Sequence, residues 1–260
     1  MDMYDLYQIC LAAGQEIMDE YSKDTAVDRK EDHSPLTEAD RRAHRVIYDG
    51  LKQMASIPVL SEEGEDVPAE ERQSWKRYWL VDPLDGTKEF LKKNDEFTVN
   101  ISLIEGTYPT LGIIYAPALD TCYFGAKGHA FKLENASAQR AVDEAELLAA
   151  STPLPKEEPG RSVVASRSHL SDETEAFIEE LTHEHGRIDT VAAGSSLKFC
   201  FVAEGRAAWY PRFAPTMEWD TAAGQAIVEA SGGEVLDHET GERLAYTKEN
   251  LTNNWFLAKR

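Results

Sequence analysis

The 260-residue chain holds only three cysteines, Cys10, Cys122 and Cys200, scattered along it with no C-x-x-C pair. An odd, unpaired set excludes a disulfide framework and reads as buried, reduced thiols of a cytosolic protein. No apolar run approaches the roughly eighteen residues a membrane span needs. The first residues, Met1-Asp2-Met3-Tyr4-Asp5, lack the basic and apolar blocks of a secretory signal. Both absences predict a cytoplasmic protein, with peripheral association at the inner membrane left open. Basic residues are few: 27 Lys and Arg stand against 47 Asp and Glu, a formal net charge of −20. Such a surface repels polynucleotides, which need clustered cations. It still admits a small anion where a metal or a local basic patch reverses the field. None of the seven histidines sits in a zinc spacing such as H-E-x-x-H. Repeats and low-complexity tracts are missing as well.

What is present suffices for a large core. The chain is 42% hydrophobic, and a chain of this size buries roughly three quarters of its unfolded surface, as one large domain or two closely packed ones. Leu6, Ile9, Cys10, Ala13 and Ile17 fall on one face of an amphipathic helix over 3–21. A polar stretch follows to Pro35, then a second helix from Thr37 to Met54, where Thr37 and Asp40 resemble a capping box. Strands are predicted at Ile57–Leu60 and Tyr78–Val81, the latter ended by Asp82-Pro83 because proline cannot continue a central ladder. Phe97–Glu105 pairs with Leu111–Tyr115, and Thr121–Phe124 with Ala130–Leu133, turning at Gly125 and Gly128. Residues 151–160, with three prolines and a glycine, read as a linker between halves. Beyond it come a strand at Ser162–Ala165, helices at Ser171–His183 and Gly194–Glu204, and a strand at Ala207–Tyr210. A small-residue helix over Asp220–Ala230 stops at Gly232-Gly233. Helices and strands mix throughout, so the class is α/β or α+β.

Asp82 and Asp85 stand three apart in a tight turn that Pro83 stiffens and Gly86 frees. Two unit charges about 4 Å apart repel by roughly 4 kcal/mol at an effective dielectric of about 20. A turn that aims both carboxylates at one point therefore needs a cation, or must keep one acid protonated. Thr87 opens the next helix, whose N-terminal N–H groups suit a phosphate. Glu62-Glu63 lies upstream, past a short strand, either as ligands or as the start of a solvated acidic loop. Asp220 is either another ligand or an ordinary helix N-cap. Oxygen-only donors suit Mg²⁺ or Ca²⁺ rather than zinc.

Val81-Asp82-Pro83-Leu84-Asp85-Gly86-Thr87 resembles the D-P-[IL]-D-G-T signature of the inositol monophosphatase superfamily. Trp219-Asp220-Thr221-Ala222-Ala223-Gly224 resembles its W-D-x-A-A-G signature, and Ser61-Glu62-Glu63 completes the set. Within the superfamily the chain is most similar to 3′(2′),5′-bisphosphate nucleotidases of the bacterial cysteine-pathway type. The similarity rests on Ser34-Pro35-Leu36-Thr37-Glu38-Ala39-Asp40, on Lys88-Glu89-Phe90 after the first signature, and on Gly194-Ser195-Ser196-Leu197-Lys198-Phe199. Inositol monophosphatases more often read T-N-F after the D-G and lack a lysine at the position of Lys198.

The resemblance implies a layered αβαβα sandwich. Its N-terminal half, 1–153, would carry most metal ligands, and its C-terminal half, 154–260, would supply Asp220 and the substrate pocket. It implies two or three Mg²⁺ ions on Glu62, Asp82, Asp85, Asp220 and the Leu84 carbonyl, and inhibition by lithium. Asp40 and Thr87, with Glu62, would be catalytic, orienting and deprotonating a metal-bound water. Asp40 has a rival place in the Thr37 cap. Substrate contacts would come from Glu62, Leu84, Asp85, Gly86, Thr87, Gly194, Ser195, Ser196, Lys198, Arg212 and Asp220. Among these, Lys198 and Arg212 would hold a second phosphate. Ser168-His169 is either a wall of the nucleotide pocket or a surface loop. The implied reaction is hydrolysis of the 3′-phosphate of adenosine 3′,5′-bisphosphate, with an inositol or sugar phosphatase as the alternative. The expected partner is a small phosphorylated nucleotide, bound by a monomer or homodimer. An aspartyl-phosphate route is disfavoured, because Leu84 breaks the D-x-D pattern at Asp82.

Overall fold

The computed structural model describes residues 2–21, 27–29, 35–165 and 171–260, with the backbone alone for 27–29 and 35–37. Helices α1 (Met3–Tyr21) and α2 (Glu38–Met54) lie where the apolar period puts them, and between them β1 (Val27–Arg29) pairs antiparallel with β2 (Pro35–Thr37). That pairing falls in and just beyond the segment read from sequence only as a polar stretch. The chain continues through β3 (Val59–Ser61), α3 (Ala69–Ser74), β4 (Arg77–Asp85), α4 (Thr87–Leu91), β5 (Thr98–Glu105), β6 (Tyr108–Ala116), β7 (Thr121–Ala126), β8 (His129–Glu134), α5 (Glu144–Ala150) and β9 (Thr152–Leu154). These strands form one seven-stranded sheet in sequential order, antiparallel except where β3 runs parallel to β4.

The second part contains β10 (Ser162–Ala165), α6 (Asp172–His185), β11 (Asp189–Ala192), α7 (Leu197–Glu204), β12 (Trp209–Arg212), α8 (Glu218–Ala230), β13 (Glu234–Asp237) and β14 (Phe256–Lys259). Its five-stranded sheet has the order β11-β10-β12-β14-β13. Helices α1 and α2 cover one face of the large sheet, α7 and α8 fill the space between the sheets, and α6 covers the far side of the small one. The architecture is thus the expected αβαβα sandwich. Among the described residues no helix is long and apolar enough to cross a membrane. The three cysteines are free and buried.

Two cores follow from the period-two alternation of the strands. Trp79 and Val81 of β4, with Val99, Ile101 and Leu103 of β5, face α1 and α2. Tyr78 and Leu80, with Ile104 and Ile114, face α7 and α8. The second interface is very close. A Cβ on Gly112 of β6 would sit 2.3 Å from the Ala223 carbonyl oxygen, and one on Gly224 would sit 2.4 Å from the Phe199 ring. The small residues after Asp220 therefore serve packing of α8 on both the sheet and α7.

Several sequence expectations are corrected. Residues 152–154 are not linker but the edge strand β9, where Pro153 opposite Phe131 is tolerated because an edge needs no second set of ladder bonds. Gly125 lies inside β7 rather than in the turn, which falls at Lys127 and Gly128. The helix expected from Gly194 begins at Leu197, since Ser195 takes a left-handed φ of 45°. Strand β4 does not end at Asp82-Pro83. It runs on to Asp85 through an irregularity in its pairing with β5.

Candidate functional site

That irregularity builds the site. Along a regular strand, residues three apart point to opposite faces. Here Asp82 pairs with Asn100 and Asp85 with Thr98, so three steps on β4 match two on β5. One extra residue is absorbed as a β-bulge, and it restores the parity of the two acids. Pro83 occupies the bulge, where a missing N–H costs no ladder bond. The face involved is the one turned toward α7 and α8, because Asp82 follows Tyr78 and Leu80 in the alternation. The Leu84 N–H donates to Asp82 Oδ1 at 3.0 Å and fixes the turn. Gly86 then adopts φ 90°, which a side chain would strain, and α4 starts at Thr87.

Asp220 reaches the same point from α8. It is the third residue of that helix rather than its N-cap. Met217 holds the cap position, and its N–H donates to Asp220 Oδ2 at 2.8 Å. Carboxylate oxygens of Asp82, Asp85 and Asp220 all lie within 4.8 Å of one another. Burial pushes the Asp82 carboxyl well above the usual range, and the charges of Glu62, Asp85, Asp220 and Asp40 push it further. Asp220 is raised to about 8 by burial, then by Asp85, against the Met217 N–H. Asp85 is raised to about 6 by burial, with Lys198 and the Ser196 N–H working in the opposite direction. Glu62 follows β3, and its N–H donates to the Val81 carbonyl at 3.1 Å. Asp40 is buried in the first turn of α2. Its alternative role as a cap turns on the Thr37 side chain, outside the described residues. Thr87 Oγ1 donates to the Leu84 carbonyl at 3.3 Å.

Packed carboxylates that repel one another below the surface are a poor arrangement for a protein alone and a good one for a cation. The donor set is all oxygen, so it fits a hard divalent ion such as Mg²⁺.

Beside the acids opens a cleft of about 580 Å³, lined among others by Asp85, Asp220, Gly194, Ser195, Lys198, Tyr210 and Arg212. This lies in the size range of small-molecule sites, roughly 300–1,000 Å³. The Lys198 ammonium donates to the Ser195 carbonyl at 2.7 Å. Burial lowers its pKa to about 8, Asp85 resists that shift, and Arg212 adds to it. Among the described residues, Ser195 Oγ and Arg212 Nε are buried without a hydrogen-bond partner. The Ser195 Cβ packs 3.3 Å from where a Cβ on Gly86 would stand, joining the Gly86–Thr87 turn to the cleft. Ser34, Ser168 and His169 lie outside the described residues.

Sequence reasoning passed over three side chains that hold this arrangement. The Ser196 hydroxyl donates to Asn100 Oδ1 at 2.8 Å and lies 2.8 Å from Thr98 Oγ1. Glu96 accepts the Gly194 N–H at 2.8 Å. A signal existed: Thr98, Asn100 and Ser102 are polar at alternate positions of a strand whose other face is Val99, Ile101 and Leu103. All three are fully buried.

A profile of the inositol monophosphatase family matches residues 2–259. The chain is 49% identical over 254 residues to the 3′(2′),5′-bisphosphate nucleotidase CysQ of Salmonella typhimurium, covering 96% of each chain. It is similar to the crystal structure of CysQ from Bacteroides thetaiotaomicron, at 43% identity and a TM-score of 0.90 over 100% of this chain and 97% of that one. An IMPase structure from Thermotoga maritima matches at 26% identity and a TM-score of 0.71, over 100% and 92%.

Proposed function

The chain belongs to the inositol monophosphatase family, and from that premise we propose that it hydrolyses the 3′-phosphate of adenosine 3′,5′-bisphosphate, giving AMP and phosphate, with Mg²⁺ as cofactor. The observation that carries the nucleotide assignment is the pair of cations set against the acids, Lys198 by Asp85 and Arg212 by Asp220, in a cleft that Lys88 and Lys92 also line. Lys198 and Arg212 line it beside Asp85 and Asp220 in a chain of net charge −20. A monophosphate needs only the cation held by the acids. A second phosphate needs its own positive charge, and these two residues supply it. The relatives named as bisphosphate nucleotidases support the same reading.

Asp82, Asp85, Asp220 and Glu62, with the Leu84 carbonyl, would hold the ions. When bound, Mg²⁺ supplies charge to the phosphoryl and leaving oxygens and acidifies water. The backbone N–H groups of Gly86 and Thr87 receive the scissile phosphate. Thr87 Oγ1 orients the attacking water, and the Asp40 carboxylate accepts its proton. Lys198 and Arg212 hold the phosphate that stays on the nucleotide, and the Gly194–Ser196 turn closes the side of the cleft. Little more is required, since phosphoryl transfer is mainly positioning and electrostatics.

The test is phosphate release from adenosine 3′,5′-bisphosphate, inositol 1-phosphate and fructose 1,6-bisphosphate, with and without Mg²⁺. The bisphosphate nucleotide is expected to win by at least tenfold in kcat/KM, and only with Mg²⁺. A tenfold preference for inositol phosphate, about 1.4 kcal/mol in transition-state stabilisation, would overturn the nucleotide assignment. Equal release after chelation would overturn the metal assignment.

A further inference from the structure

Tyr210, on β12, has no role in the chemistry described so far. Its ring is clamped edge-on by Phe199, at 5.0 Å and 82°, and by Phe256, at 5.5 Å and 89°. The residue is 4% exposed, yet it lines the cleft. The Lys198 ammonium stands 5.5 Å from its ring centroid. Its charged neighbours are Arg212, Asp85 and Asp220. Among the described residues the phenol hydroxyl has no hydrogen-bond partner, and Thr221, which also lines the cleft, is engaged with Glu218 and Tyr246.

The hydroxyl is not one of the fully buried unpaired polar atoms, so the small exposure of this residue includes its polar tip, on the side of the cleft. Here the unclaimed hydroxyl accompanies two other unclaimed polar atoms on residues of the same cleft, Ser195 Oγ and Arg212 Nε. The three atoms share one property: each can donate. A ligand that satisfies them together presents acceptor oxygens. Burial pushes the phenol's pKa upward, so it stays protonated and acts as a donor, not as an acid in turnover.

We propose that Tyr210 is a specificity-determining residue whose hydroxyl donates a hydrogen bond to the non-transferred phosphate, completing with Lys198 and Arg212 the site for that group. This rests on the bisphosphate reading above and deepens it. Ring packing sets the hydroxyl in advance, so its contribution needs no ordering of a flexible chain. The second phosphate is thereby read by one donor of fixed direction as well as by two charges.

The experiment compares wild type with Tyr210→Phe, which keeps the ring between Phe199 and Phe256. Two substrates are used, adenosine 3′,5′-bisphosphate and adenosine 3′-monophosphate, which lacks the second phosphate. In the variant, KM for the bisphosphate is expected to rise about tenfold, the loss of a hydrogen bond to a charged group. Its kcat should stay within about twofold, and both constants for the monophosphate should change less than about twofold. An unchanged thermal melt checks that the packing survives. Equal losses on both substrates, or no change on either, would overturn the proposal. If wild type itself fails to prefer the bisphosphate, the reading beneath it falls first, which separates the two failures.

Discussion

The Asp85 carboxylate accepts the backbone N–H of Ser196 at 2.6 Å, across 111 residues of chain. One oxygen of a metal-binding candidate thus also holds the turn that carries Lys198. This contact ties the acid cluster to the cationic side of the cleft, beside the Ser196 hydroxyl's bonds to Asn100 and Thr98.

Asp85→Asn separates those two duties. The amide oxygen still accepts from Ser196, so the fold and the Lys198 turn are expected to persist in circular dichroism. Turnover should fall by more than about 100-fold, since losing even an outer partner of a metal site costs about 10–100-fold. The Mg²⁺-induced rise in melting temperature should shrink as well. A variant with most of its turnover would remove Asp85 from the ligand set.

The raised acids predict an unusual pH dependence in chelator. An unfolded Asp titrates near 3.9, whereas folded Asp85 is pushed up to about 6 and Asp220 to about 8. Between those limits the folded state binds more protons than the unfolded one, so stability falls as pH rises. Melting temperature in EDTA should therefore drop steadily from about pH 4 to pH 8. Saturating Mg²⁺ should flatten the slope, because the cation offsets the repulsion that protons otherwise relieve. Parallel slopes with and without Mg²⁺ would show that these acids do not share an ion.

Gly112 tests the helix–sheet contact that delivers Asp220. A Cβ there would lie 2.3 Å from the Ala223 carbonyl oxygen, and backbone cannot yield as a side chain can. Gly112→Ala is expected to destabilise by roughly 1–3 kcal/mol, which lowers the melting temperature by roughly 2–10 °C at this size. It should also weaken Mg²⁺ activation, since α8 must move and takes Asp220 with it. An unchanged melt would mean that α8 has slack against β6.

Much of the fold was legible because amphipathic periods were clear. Leu6, Cys10, Ala13 and Ile17 are buried as the helical pattern requires, and the central hairpins fall close to their expected bounds. What misled was proline chemistry. The missing N–H of Pro83 predicts the end of a strand, whereas the bulge lets the strand continue past it. The same bulge gives Asp82 and Asp85 a common face, which spacing alone would have denied them on a regular strand. The W-D-T-A-A-G segment pointed to Asp220 but could not reveal why alanines follow it, since the answer lies in Gly112 of another element. Asn100 escaped notice because a buried strand full of Val, Ile and Leu reads as core unless its two faces are scored separately.

The strand order of the large sheet bears on how such a repulsive cluster can form at all. From β4 to β9 each strand pairs with its successor, through tight hairpins from β5 to β8 and through α4 and α5 at either end, so its contacts are mostly local, the kind that close quickly. Asp82 and Asp85 are placed within that locally connected sheet. Asp220 belongs to α8, which leaves the ribosome much later and docks over a long loop. The third charge therefore comes from the segment that belongs to the other sheet's half of the chain, and the electrostatic penalty is attached to the docking of two distant segments, the contact a cation from solution can join.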